Sequence, residues 1–304
     1  MTRLVECVPN FSEGRDRNTF DALAAAVSTT AGVALLDRSM DPDHNRCVLT
    51  FAGEPEAVGE AAVRAIHVAR DRINLVRHHG VHPRLGAADV VPFVPLQGSS
   101  LADCVALAGR IAERVWSELR VPVYLYEAAA RLPERSRLEN VRRGGFERIR
   151  GLAGKSAAHR PDVGGPDLHP TAGAAILGAR RFLIAWNVTL TSSNLDAAKS
   201  IARSVRESSG GLACVKALGL MLESRGVAQV SMNLTDYVRT PISEVYKALW
   251  RAASAHGVTV GHAELIGLIP EEAWQDAAAA AIPFENFGPD RVVERRVAEM
   301  LQGR

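Results

Sequence analysis

Cysteine is scarce: Cys7, Cys47, Cys104 and Cys214 are spread over 304 residues, and no two form a Cys-x-x-Cys pair. A disulfide framework and a structural zinc site are therefore not expected. Long apolar runs are also missing, since none approaches the roughly 18 residues that a membrane span needs. The start, MTRLVECVPNFSEG, shows neither an extended apolar stretch nor a small-residue cleavage pattern. Charge of either sign is not in excess, with 36 Lys and Arg against 34 Asp and Glu for a net +2. A chain that lives by binding nucleic acid or an anionic membrane would carry a larger imbalance. The expected partners are small molecules, the expected setting is the reduced cytoplasm, and an acidic ligand must be met by a local patch.

Apolar content is ample at 47% of residues, enough to bury a sizeable core in one large domain or two of about 150 residues. RLVECVPN reads as a strand ending at Pro9, followed by an amphipathic helix from about Asp16 to Thr30. GVALLDRSM and NRCVLTFAG follow as strands, then a helix from about Glu54 to Leu75 with Val58, Ala62, Ile66, Ala69 and Ile73 on one stripe. AADVVPFVPL, SLADCVALAGRIAERVWSEL and VPVYLYE extend the series as strand, helix and strand. Beginning with RRFLIAWNVTL as its first strand, the order strand, helix, two strands, helix, strand appears again, without a sequence repeat. The pattern predicts an α+β fold (an α/β two-layer arrangement) of two split βαβ, ferredoxin-like subdomains, residues 1–175 and 176–304, with facing sheets and a ligand cleft between them. The Gly-, Pro- and Arg-rich stretch from Arg131 to His169 is read as the boundary between units. The charged tail after Pro270 reads as helical.

Three polar clusters stand out. In HHGVHPRLGAADVV, residues 78–91, metal binding by His78, His79 and His82 is disfavoured, because adjacent residues of an extended segment point to opposite faces. No metal is expected. Pro83 restricts His82 to extended backbone, and Arg84 follows at once. A stiffened imidazole beside an anion site suits proton transfer, since its ordinary pKa lies near neutrality. The second cluster holds Asp37, Asp41, Asp43, His44, Asn45 and Arg46 at a strand junction. Asp41, Asp43 and His44 read as a solvated turn, and Asn45 and Arg46 as candidates for ligand contacts. The third, PDVGGPDLHPTAGAAILGARRF, is neither a P-loop nor a dinucleotide fingerprint. It could present backbone groups to a flat heterocycle. From Arg131 to Arg160 nine basic residues face three acidic ones, a run that ordinarily marks a solvated surface and here could receive a polyanionic tail.

Taken together, LVECVPNFSEGR, GVHPRLGAADVVPFVPL, VPVYLYEAAA, PDVGG with GARRFLIAWNVTL, and AQVSMNLTD resemble the formiminotransferase (glutamate formimidoyltransferase) family, from residue 4 to about Pro270. The chain looks like the stand-alone bacterial type, without a cyclodeaminase domain. The resemblance implies two subdomains facing across a positively charged tunnel, tetrahydrofolate as co-substrate and a homodimer. It implies transfer of the formimino group from N-formimino-L-glutamate to N5 of tetrahydrofolate, in histidine breakdown and one-carbon metabolism. The histidine of the family's His-Pro-Arg motif is His82 here. The family's folate-binding loop falls on Gly164, Gly165, Pro166, Asp167, Leu168, His169, Pro170, Thr171, Ala172 and Gly173.

Such a reaction asks the attacking nitrogen to lose a proton while the leaving glutamate nitrogen gains one, which a single histidine can do in turn. Carboxylates of the substrate call for arginine, with Arg84, Arg46 and neighbouring Asn45 as candidates. Asp37 or Asp89 is placed to orient the imidazole. The alternatives are a related folate activity, using N-formylglutamate or closing the ring of 5-formyltetrahydrofolate, and a folate-binding sensor without catalysis.

Overall fold

The structure, a computed structural model, describes residues 3–80, 83–285 and 287–302. The chain divides into two compact units, Met1–Arg180 and Arg181–Arg304.

The first unit begins with a strand broken at Pro9 into β1 (Val5–Cys7) and β2 (Asn10–Phe11). Helix α1 (Arg17–Ser28) follows, with Asp16 accepting the Asn18 amide at its N-terminus and Phe20, Leu23, Ala24 and Val27 buried along one stripe. Strands β3 (Val33–Asp41) and β4 (Arg46–Gly53) form a hairpin, and α2 (Pro55–Arg72) opens with proline, which costs no hydrogen bond in a first turn. Then come β5 (Ala88–Pro95), α3 (Leu101–Leu119) behind a Ser100/Asp103 capping box, and β6 (Val123–Glu127). Two short helices, α4 (Leu138–Val141) and α5 (Gly145–Leu152), precede β7 (Ala175–Ala179). Strand order is β3, β4, the broken β1/β2, β5, β7, β6. The last three are parallel and the remainder antiparallel.

Alternation along the strands decides which face is covered. Cys7, Phe11, Cys47, Leu49 and Phe51 join Leu23, Val27, Val58, Ile66, Leu107 and Ile111 in one core, so α1, α2 and α3 lie on that face. Arg46, Val48 and Thr50 of β4 point the other way, as does Asn10, which pairs with Val48.

The second unit carries β8 (Ile184–Leu190), α6 (Leu195–Val205), β9 (Val215–Leu222), β10 (Val227–Leu234), α7 (Ile242–Ala255) and β11 (Val260–Ile266). Helix α8 (Glu271–Ala279), the two-residue β12 (Phe284–Glu285) and α9 (Val293–Gln302) complete it. The sheet runs β12, β11, β8, β10, β9. Its core centres on Trp186, fully buried and tilted against Phe284 with ring centroids 5.8 Å apart.

The α+β reading with a split βαβ order in each unit therefore holds. Two details differ. Strand β7, all of it buried and absent from the strands expected, lies within the glycine-rich stretch and sits between β5 and β6 in the first sheet. A boundary after residue 175 would cut it; the units divide after Arg180. The stretch from Arg131 to His169 is likewise not a linker. Val141, Phe146, Ile149 and Ala153 are buried in the first core, and Arg135 lies under Tyr124 with its guanidinium 4.9 Å from the ring centroid.

Arg135 Nη1 is 2.6 Å from Asp162 Oδ2, both side chains nearly inaccessible, and the Leu125 amide donates to the same oxygen at 2.8 Å. Removing one member of a buried pair leaves an uncompensated charge. Asp162→Ala is expected to cost about 3–5 kcal/mol in urea unfolding; a loss under about 1 kcal/mol, the range of an exposed pair, would show that the pair is not buried in solution.

Candidate functional site

The site gathers around Asp89, fully buried on β5. Asn10 pairs with Val90 but Phe11 pairs with Ala88, so Asp89 is an extra residue in the ladder. A bulge re-aims a side chain, and here it turns the carboxylate to the face that bears Asn10 and Arg46. Asp89 Oδ1 accepts the amides of Leu85 at 2.7 Å and Gly86 at 3.2 Å. Asp89 Oδ2 accepts Arg46 Nη2 at 2.9 Å and Arg142 Nη1 at 3.0 Å. Arg46 Nε reaches Asn10 Oδ1 at 3.0 Å. Burial lowers the Arg46 pKa from its ordinary value, with the Asp89 charge opposing that shift.

The loop from α2 to β5 is tied down on both sides of residues 81 and 82. Before them, Asn45, held at φ 48° in the left-handed region that asparagine tolerates, donates from Nδ2 to the His79 carbonyl at 2.9 Å. Its own carbonyl accepts His78 Nε2 at 3.0 Å. His78 is buried, its Nδ1 has no partner among the described residues, and burial lowers its pKa. After them, Arg84 Nη2 donates to the carbonyls of Leu75 and His78, both at 3.0 Å, and to Glu147 Oε1 at 2.8 Å. The Arg84 side chain holds the Glu147 carboxyl below its ordinary pKa.

The stretch from Gly164 to Gly173 closes on this loop. The amides and carbonyls of His169 and Gly173 bond reciprocally, at 2.9 and 3.0 Å. Thr171 O accepts Leu75 N at 2.8 Å, and Ala172 O accepts Ala87 N at 2.9 Å. Gly173, at φ +70°, comes so near that an added Cβ would stand 2.1 Å from the Leu85 carbonyl. Gly164 and Gly165 turn the chain at positive φ, Leu168 is buried, and Pro166, Asp167 and Pro170 are exposed. His169 Nδ1 accepts the Ala172 amide at 3.0 Å, and burial lowers its pKa too.

Of the residues singled out in the sequence, Asn45, Arg46, Arg84, Asp89 and the Thr171–Gly173 end of the glycine-rich stretch are brought together. His82 lies outside the described residues. Asp37 is apart: it pairs with Thr50, four residues along β4 from Arg46, about 13 Å at roughly 3.3 Å per residue. Sequence reasoning missed Asn10, Arg142 and Glu147. Arg142 was hidden in the basic run, although its place before Gly144 and Gly145 marks a helix break. A half-open cavity of about 510 Å3, lined by Tyr124, Leu132, Arg135, Arg143 and Arg148 among others, contains none of the gathered residues. No group of three or more His, Cys, Asp or Glu is placed to hold a metal, and no helix is long and apolar enough to cross a membrane, among the described residues.

A depressed histidine pKa means that the unfolded chain binds the proton more tightly. The stability from neutral His78 and His169 is complete above their ordinary pKa of 6.5 and is lost as pH falls below it. Urea midpoints are expected to drop between pH 7.5 and 5.5, and His78→Gln to shrink the drop; an unchanged slope in that variant would contradict the assignment.

The family model described as the formiminotransferase domain, N-terminal subdomain, matches residues 4–180, and that of the formiminotransferase domain matches residues 185–288. The chain is 43% identical to a glutamate formimidoyltransferase of Thermoplasma acidophilum, over 97% of each chain. It is 42% identical to one of Streptococcus pyogenes serotype M1, over 94% of this chain and 96% of that one. A formimidoyltransferase-cyclodeaminase of Rattus norvegicus is 42% identical over 92% of this chain but only 52% of its own length. The two matched models together with these identities show that the chain belongs to the formiminotransferase family.

Proposed function

We propose that the chain moves the formimino group of N-formimino-L-glutamate to N5 of tetrahydrofolate, with His82 passing the proton from the attacking to the leaving nitrogen. The observation that carries this reading is identity above 40% to glutamate formimidoyltransferases along nearly the whole of both chains. Release of glutamate fits a step in histidine degradation. Asn45, Arg46 and Arg84 are assigned to the substrate's carboxylates. Arg84 Nε supports this, being a buried donor with no partner among the described residues, which an anion can satisfy. Asp89 or Asp37 is assigned to orient the imidazole, and the bonds from Asp89 to Leu85 and Gly86 favour Asp89. Gly164 to Gly173 is assigned to tetrahydrofolate, with the exposed Pro166, Asp167 and Pro170 and the polar backbone of the turn available to a flat ring system. When bound, tetrahydrofolate supplies the accepting nitrogen; the protein supplies position and a proton route. The proposed setting is a cytoplasmic homodimer, for which light scattering is the check.

His82→Ala should lower turnover about 10²- to 10⁴-fold, the range for losing a general acid–base, with folate affinity kept. Near-normal turnover would falsify that role. With tetrahydrofolate present, N-formimino-L-glutamate should be consumed far faster than N-formyl-L-glutamate, and the reverse order would point to the formyl-transfer alternative.

A further inference from the structure

The half-open cavity of about 510 Å3 lies within the first unit, walled by Tyr124 of β6 and by residues between Leu132 and His159. Its size is that of a small-molecule pocket, and its lining mixes two chemistries. Leu132, Val141 and Ile149 supply apolar surface, and Arg143 and Arg148 supply charge. The wall is braced from behind. Arg135 lies over the Tyr124 ring, pairs with Asp162 at 2.6 Å and donates to the Ala158 and Arg160 carbonyls at 3.1 and 2.6 Å. The Tyr124 hydroxyl donates to the His159 carbonyl. Arg143 and Arg148, both exposed, are less committed. Arg143 Nη2 donates to the neutral Asn140 Oδ1 at 2.6 Å, and among the described residues Arg148 makes no hydrogen bond or ion pair. Gly144, at φ +94°, leaves the Arg148 stem its place, since an added Cβ would stand 2.3 Å from Arg148 Cδ.

We propose that this cavity is a binding site for a small organic acid, with one carboxylate or phosphate head on Arg143 and Arg148 and an apolar body against Leu132, Val141 and Ile149. Arginine suits such a head, because the donors of its planar fork match two oxygens of one anion at once. A single head fits better than a polyanionic tail does. Arg135 is engaged with Asp162, which leaves two cations in the lining, and Glu134 in the same wall repels further negative charge. The site is distinct from the one assigned to the reactants, since Asn45, Arg46, Arg84, Asp89 and Thr171 to Gly173 take no part in its lining.

The test is calorimetric titration of the full chain with phenylacetate and phenyl phosphate, one for each kind of head, and with uncharged benzyl alcohol. At least one acid is expected to bind with a Kd on the order of 1 mM or tighter, and the alcohol about 10-fold or more weakly. The tighter acid names the head. Arg143→Ala and Arg148→Ala, at exposed positions that the fold does not depend on, should each weaken that acid about 10-fold, the scale of a lost hydrogen bond to a charged group. Ala158→Trp fills the cavity from its exposed rim with both charges kept, and should abolish binding. Arg225→Ala, on an exposed turn of the second unit, should match the parent. Absence of measurable binding by either acid overturns the proposal, and so does binding that survives loss of both arginines together or the filled cavity. Displacement of the bound acid by N-formimino-L-glutamate or tetrahydrofolate overturns it too, by assigning the acid to the reactants' site.

Discussion

Burying the carboxylate of Asp89 is the constraint around which the site of the first unit is arranged. An ionised group taken wholly out of water is tolerated only when charges and hydrogen bonds replace its hydration. Among the described residues the Leu85 and Gly86 amides and the arginines 46 and 142 do so. Those donors come from β4, from the loop before β5 and from the segment between α4 and α5. Satisfying one carboxylate therefore fixes three elements relative to the sheet. The bulge in β5 makes this possible by turning Asp89 away from the helix-covered core.

A second layer of ties gives the loop around residues 75–87 its shape. Most are backbone bonds to Thr171, Ala172 and Phe146 and side-chain bonds from Asn45 and Arg84. The described residues on either side of positions 81 and 82 are thus anchored, through His78 and His79 before them and Arg84 after them. Arg46 and Arg84 serve structure and charge at once: each holds protein acceptors and keeps a cation at the site.

Much of the fold could be read in the sequence because its signals were periodic. The apolar stripe of α2 and the alternation in β4 announced a helix-covered sheet, and the second split βαβ order was visible from β8 to β11. Strand β7 was not, because five residues of Ala, Ile, Leu and Gly follow directly on a glycine-rich turn, and a parallel buried strand has no alternation to show. The site was legible in part. Arg46, Arg84 and Asp89 lie near a motif in the sequence, whereas Arg142 is brought to Asp89 only by the fold, 53 residues away. Within a run of nine basic residues the helix break at Gly144 and Gly145 is the one local feature beside Arg142, and it does not point to Asp89. His78 shows no local signal for burial, and the Asn45 carbonyl that accepts its ring nitrogen lies 33 residues away in sequence.

If the buried carboxylate organises this region, the Leu85 and Gly86 amides are locked although they lie in a loop. Hydrogen exchange read residue by residue tests that directly. The account predicts that these two amides exchange as slowly as those of Val91 and Phe93 within β5, through global opening alone. Exchange at rates typical of exposed loops, with the β5 amides still protected, would contradict it.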